Sequence, residues 1–332
     1  MSEISAVIVF IVALALFFDF TNGFHDTANA IAPAVATGVL SPQQAVTLSA
    51  ILNFVGALAV GTAVATTIGK GIIDPRIADH WLVISALTGA TSWNLVTWYY
   101  GIPSSSSHAL IGGIVGAAVA GHGLSAVKLL GFVPLAQGLF LSPLLGFFVA
   151  GGLLLILFSI FRRFSPLTTG PYFRWMQLLS VAGLSLSHGT NDAQKSMGII
   201  TMSLVGLGYL KEFQVPFWVM LACATAIGLG TLSGGWRIIK TMGNKITKLQ
   251  PIHAFASSTA AAGLIMAASS VGLPVSTTHC MTGCIMGVGA AQRVRGVNWG
   301  VTGEVMTAWV LTIPAAALLS AGLYEILTHT FG

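Results

Sequence analysis

Charge is what this sequence has least of. Of 332 residues, 14 are Lys or Arg and 9 are Asp or Glu, 7% in all, against about 25% in soluble domains. With 55% hydrophobic residues and a mean hydropathy of +0.87, a water-soluble fold is excluded. Cysteine is scarce too. Cys223, Cys280 and Cys284 form no C-x-x-C pair, which excludes a disulfide framework and leaves them as small packing residues. The net charge of +5 is scattered over short loops rather than gathered in a stripe, so nucleic acid is not a partner; basic loops of this kind sit against the cytoplasmic leaflet. A Gly-x-Ser-x-Gly elbow is missing, which argues against a serine hydrolase. The first apolar stretch, 4–20, has no basic flank before it and reads as mature structure rather than a signal peptide.

What the chain does have is apolar runs. About 20 helical residues cross a bilayer, and runs of that order lie at 44–68, 81–100, 137–161, 216–236, 252–271 and 301–327. Four shorter, Gly-rich segments, 27–37, 105–120, 193–204 and 277–290, each begin at a polar cluster and read as broken or re-entrant helices. The expected class is an all-α polytopic membrane protein.

The polar clusters occur twice. Asn22-Gly-Phe-His-Asp26-Thr-Ala-Asn29 is answered by His188-Gly-Thr-Asn-Asp192-Ala-Gln-Lys195, the aspartates 166 residues apart. Gly101-Ile-Pro-Ser-Ser-Ser-Ser-His108 is answered by Gly272-Leu-Pro-Val-Ser-Thr-Thr-His279, the histidines 171 apart. A weaker pair, Thr67-Ile-Gly69 and Thr241-Met-Gly243, lies 174 apart. Three ordered matches at nearly one offset identify an internal duplication. The expected division is a first membrane repeat over 1–161, a cytoplasmic linker over 162–174 containing Arg162, Arg163 and Arg174, and a second repeat over 175–332. Placing the basic loops in the cytoplasm gives five crossings per half and both termini outside. An odd count inverts the halves relative to each other, the arrangement of secondary transporters.

Asp26 and Asp192 fall at membrane depth at matching positions, where a charge is costly unless paired or hydrated. They are helix caps, or they form a cation or proton site; equivalent placement in two repeats favours the site. Asn29, one turn beyond Asp26, completes an oxygen cage, and its counterpart Lys195 neutralises Asp192, repels a hard cation and offers a donor to an anion. In the loops, Gly and Pro break one helix and hydroxyl residues open the next. Such an N-terminus presents free N–H groups and hydroxyl donors to an oxyanion, although Ser and Thr also serve as ordinary caps worth about 1 kcal/mol. His25 and His188 beside the aspartates, and His108 and His279 after the hydroxyls, relay protons or bond to backbone. A catalytic triad is asymmetric, whereas each of these candidates has a counterpart in the other half.

Gly23-Phe-His-Asp-Thr-Ala-Asn29, Gly189-Thr-Asn-Asp-Ala-Gln-Lys195 and the paired hydroxyl-His loops resemble the inorganic phosphate transporter (Pit) family over essentially the whole chain. The resemblance implies inverted repeats, a homodimer in the cell (inner) membrane, and phosphate carried with a coupling cation. It implies site residues at Ser104, Ser105, Ser106, Ser107, Ser276, Thr277 and Thr278 for the substrate and at Asp26, Asn29, Asn191 and Asp192 for the coupling cation or proton. To these the reading of the residues adds Gln194 and Lys195 on the substrate side and His25 and His188 beside the carboxylates. Sodium-coupled members show Asn-Asp-x-x-Asn in both halves; His25 and Lys195 depart from that pattern and resemble the bacterial low-affinity, proton-coupled branch. The expectation is therefore proton symport of phosphate, with no cofactor and with a divalent metal as a possible co-traveller. Sodium coupling, another oxyanion such as sulfate, a passive anion channel and an intramembrane hydrolase are the alternatives.

Overall fold

The structure is a computed structural model that describes residues 2–331. Among the described residues there are twelve α-helices and no strand. The first half comprises α1 (Ser2–Ala36), α2 (Pro42–Ala59), α3 (Ala63–Gly71), α4 (His80–Tyr100), α5 (Ser106–His122) and α6 (Leu129–Phe161). The second comprises α7 (Pro166–Gly206), α8 (Phe217–Ser233), α9 (Trp236–Asn244), α10 (Pro251–Ser270), α11 (Thr277–Gln292) and α12 (Trp299–Phe331). Each half thus repeats one order: a long helix, a bent pair, a helix of about 20 residues, a shorter one and a second long helix. The bends are 75° between α2 and α3 and 72° between α8 and α9.

By length and composition, α1, α6, α10 and α12 are apolar enough to cross a membrane, and the two bent pairs bring the count to six among the described residues. The exterior is greasy, with Phe10, Phe140, Phe148, Trp175, Phe217, Val310 and Leu318 all exposed, while Asp26, Asp192 and Lys195 are at most 2% exposed. Polar groups inside and apolar groups outside is the arrangement a bilayer demands.

The helix boundaries have local causes. Ser41 and Gln44 form a capping box with Pro42 at the first position of α2. Asp79 caps α4 by accepting from the Leu82 N–H at 2.8 Å. Gly101 (φ 68°) and Gly272 (φ 74°) take the left-handed turns that end the preceding helices. Ser105 and Ser276 then cap α5 and α11.

One expectation is corrected. The segments 27–37 and 193–204 are not separate helices: α1 and α7 run unbroken through both aspartate motifs. Their polar side chains find partners on facing helices and loops, so the backbone has no need to open. Helix already begins inside the joint. Pro166 begins α7, and the Ser165 carbonyl already accepts from the N–H groups of Thr168 and Thr169 at 3.0 and 3.1 Å.

The last helix of each half crosses over to the other. α6 packs on α10 and α11, and α12 packs on α4 and α5. Two apolar cores result. One holds Ile8–Phe18 of α1 and Ala193–Leu204 of α7; the other holds Ala28–Ala34 of α1 and Phe173–Leu184 of α7. The polar residues of α1 and α7 lie between them. Close approach there depends on glycine: a Cβ on Gly23 would meet the Ile227 carbonyl oxygen of α8 at 2.5 Å, and one on Gly189 would strike the backbone of Asn53 in α2.

Candidate functional site

The two aspartates, 166 residues apart in sequence, meet in space. One ligand-capable atom each of Asp26, His188 and Asp192 lies within 4.8 Å of the others. Around them the halves are built alike. His25 Nδ1 lies 2.9 Å from Asp26 Oδ1, and at the equivalent position the Asn191 amide donates to Asp192 Oδ1 at 2.7 Å.

The hydroxyl loops close on this pair. Ser106 approaches Asp26 Oδ2 at 2.5 Å and Asn22 Oδ1 at 2.7 Å. From the other half, Thr278 donates to Asp26 Oδ1 at 3.1 Å and accepts from the Asn29 amide at 2.8 Å. Thr277 faces Asp192 Oδ2 at 3.5 Å. Ser107 points to the Val275 carbonyl at 3.4 Å, which also accepts from Asn191 at 3.0 Å. Ser104 donates to Thr97 at 2.8 Å, and Thr97 in turn lies 3.1 Å from His25 Nε2. All of these side chains are buried. The site is therefore a seam between the halves, lined by carboxylates on α1 and α7 and by the first turns of α5 and α11.

Lys195 is fully buried, its ammonium 2.6 Å from Asp192 Oδ1. One turn of helix brings it there from the position where the first half carries Asn29. His188 Nε2 stands 3.4 Å from Asp192 Oδ2, at ion-pair distance but outside hydrogen-bond geometry, while its Nδ1 faces the Asn53 amide oxygen at 3.2 Å.

Three side chains named from sequence serve the scaffold. Ser105 and Ser276 accept from the N–H groups of His108 and His279 at 3.3 and 3.2 Å, as ordinary caps. Gln194 spends its amide on backbone, accepting from Val64 and Ala65 and donating to Val60 and Thr190, and so braces the α2–α3 bend. His108 and His279 meet each other, ring centroids 4.3 Å apart, and His279 stacks on Trp309 at 3.9 Å. They border a cavity of about 620 Å³ whose other walls, including Leu139, Phe147 and Val310, are apolar. Such walls offer an oxyanion no donors; the polar seam does.

Sequence reasoning missed several members. Thr97, Asn53 and Thr231 are polar residues of largely apolar helices that belong to no repeated motif; Asn53 and Thr27 both donate to Thr231. Asp19 lies outside this hydrogen-bonded seam; its repeat equivalent is Ser185, so the duplication does not mark it. The available signal was an acid inside the apolar stretch 4–20.

The phosphate transporter family model matches the chain twice, over residues 22–172 and 164–320. A protein of Rhizobium meliloti (strain 1021) named "probable low-affinity inorganic phosphate transporter" is 52% identical over 318 residues, 96% of this chain and 95% of that protein. One of the same name from Bacillus subtilis (strain 168) is 48% identical over 97% of this chain and 98% of its own length. Among solved structures, "the sodium-dependent phosphate transporter" matches with a TM-score of 0.88 at 25% identity, covering 98% of this chain and all of that one.

Proposed function

The chain belongs to the phosphate transporter family, and on that premise we propose that it imports inorganic phosphate by proton symport, using the seam between its halves as the binding site. That it is a multi-pass membrane transporter and not an enzyme follows from the family and its relatives.

Lys195 carries the proton reading. A cation held at Asp192 in the manner of the Asp26–Asn29 pair would have to share its place with an ammonium 2.6 Å from the same carboxylate, and like charges so close repel strongly in a dry site. The same ammonium is a donor for phosphate once it turns from Asp192. Ser106, Ser107, Thr277 and Thr278, with the first-turn N–H groups of α5 and α11, supply the remaining donors. The sodium-coupled alternative draws its support from the structural neighbour, which is named as sodium-dependent. A divalent metal travelling with phosphate would be cargo, and the convergence of Asp26, His188 and Asp192 supports a cation passing there.

Inverted halves are supported by the order in which α1 and α7 meet the two cores. α1 runs from the first to the second, and α7 from the second to the first. Halves so related exchange roles when access alternates. We place the protein in the inner membrane as a homodimer, both termini outside.

Uptake of labelled phosphate into proteoliposomes, with proton and sodium gradients imposed separately, tests this reading. Accumulation should follow the proton gradient without sodium; accumulation driven by sodium alone would reject it.

A further inference from the structure

Asp19 lies on α1, seven residues before Asp26 and thus about two turns away on the same face. It is 0% exposed, and neither carboxylate oxygen has a hydrogen-bond partner among the described residues. Ser196 of α7 and the Cys223 thiol of α8 approach it without reaching hydrogen-bond geometry, and the Ser196 hydroxyl is itself unpartnered. The titratable groups that face it are Asp192 and Lys195 of α7 and Cys223 of α8. Phe18, its neighbour in the chain, and Ala193, the neighbour of Asp192, belong to one apolar core.

An ionised carboxylate in such a place is costly unless a cation pairs with it. The cation that acts on it is Lys195, which spends one hydrogen bond on Asp192 and has three donors in all. Lys195 is thus paired with one acid and within electrostatic reach of the other.

We propose that Asp19 is the proton-carrying carboxylate of the transport cycle, rising and falling in charge as Lys195 exchanges between Asp192 and Asp19. With Lys195 on Asp192, Asp19 holds the transported proton as a neutral acid, an O–H bond having formed with a proton from the outer solution. When the site opens inward, that bond breaks, the proton leaves to water, and the Asp19 carboxylate takes the Lys195 ammonium. One proton enters and the same proton leaves. The inference rests on the proton-symport reading. Asp26 and Asp192 remain the carboxylates of the seam, and Asp19 stands behind them.

The experiment compares wild type, Asp19→Asn and Asp19→Glu in proteoliposomes by two assays. One is accumulation driven by a pH gradient; the other is exchange of labelled for unlabelled phosphate with no gradient. Asp19→Asn should exchange phosphate at close to the wild-type rate and lose accumulation, because exchange needs no net proton movement. Asp19→Glu should accumulate, with a displaced pH profile. Accumulation by Asp19→Asn equal to wild type overturns the proposal, as does joint loss of exchange and accumulation in a folded protein, which would make Asp19 structural. If Asp19→Asn fails to fold, the Asp19→Glu profile decides: a displaced profile supports the proposal and an unchanged one rejects it. A wild-type protein indifferent to the proton gradient would sink the symport reading itself, an outcome distinct from failure at Asp19 alone.

Discussion

The Thr67 hydroxyl of α3 donates to the Gly272 carbonyl in the hydroxyl loop of the opposite half at 2.7 Å. Its repeat equivalent does the same in reverse: Thr241 of α9 donates to the Gly101 carbonyl at 3.1 Å. Beside that contact, Arg237 stacks over Trp98 and Tyr99 and bonds to the Tyr99 carbonyl. Each short helix beyond a bend therefore latches the loop that lines the seam.

Thr67→Val and Thr241→Val remove these bonds with little change of shape. Each should bias the loop it latches, that of the opposite half, toward the open state by about 0.5–1.5 kcal/mol, the net worth of one hydrogen bond. Cysteine accessibility in 101–104 and 272–275 should rise for Thr241→Val and Thr67→Val respectively. Accessibility unchanged in both variants would reduce the latches to packing contacts.

Asp26→Asn and Asp192→Asn should each abolish concentrative uptake in protein that still folds and inserts, since each removes a buried charge from a shared seam. Near-normal accumulation by either variant would remove that residue from the site.

The hydroxyls divide into two groups that affinity measurements separate. Ser106→Ala and Thr278→Ala remove groups that face Asp26 and should weaken phosphate binding by about 1–3 kcal/mol. Ser105→Ala and Ser276→Ala remove caps and should cost about 1 kcal/mol of stability with less effect on affinity. Thermal unfolding and phosphate titration on the same purified proteins check the division; equal affinity losses in all four variants would erase it.

Lys195→Asn copies Asn29 into the second half and leaves Asp192 without its ammonium. Proton-driven uptake should fall sharply. Retention of normal proton-driven uptake by this variant would show that Lys195 only balances local charge, and the coupling argument would fail with it.

Orientation is tested without transport. A single cysteine at Arg76, in the exposed turn before α4, should react with an impermeant reagent on intact cells, and one at Thr168, in the first turn of α7, should not. The opposite pattern reverses the orientation.

The duplication made much of this legible. Asp26 and Asp192, the hydroxyl loops and the Lys195 substitution stand out because each recurs, or fails to recur, at a fixed offset. Residues without a counterpart were invisible to that reasoning, Asp19 above all. The polar clusters at 22–29 and 188–195 look in isolation like helix breaks, because unpaired polar groups oppose a helix in lipid. In the folded chain Thr278, Ser106, Val275 and Asn53 satisfy them from across the seam, and α1 and α7 stay continuous.

The sequence by itself determined that the chain is a duplicated membrane protein, and it named the two carboxylates. Low charge and periodic apolar runs leave no other solvent, and matched spacing needs no coordinates. Which hydroxyl caps a helix and which faces a carboxylate, where Lys195 places its ammonium, and that Asp19 is buried without a hydrogen-bond partner were decided by tertiary structure alone. Those outcomes depend on distances of a few ångströms between helices far apart in the chain, and hydrogen bonds and ion pairs in a dry interior form only where such distances close.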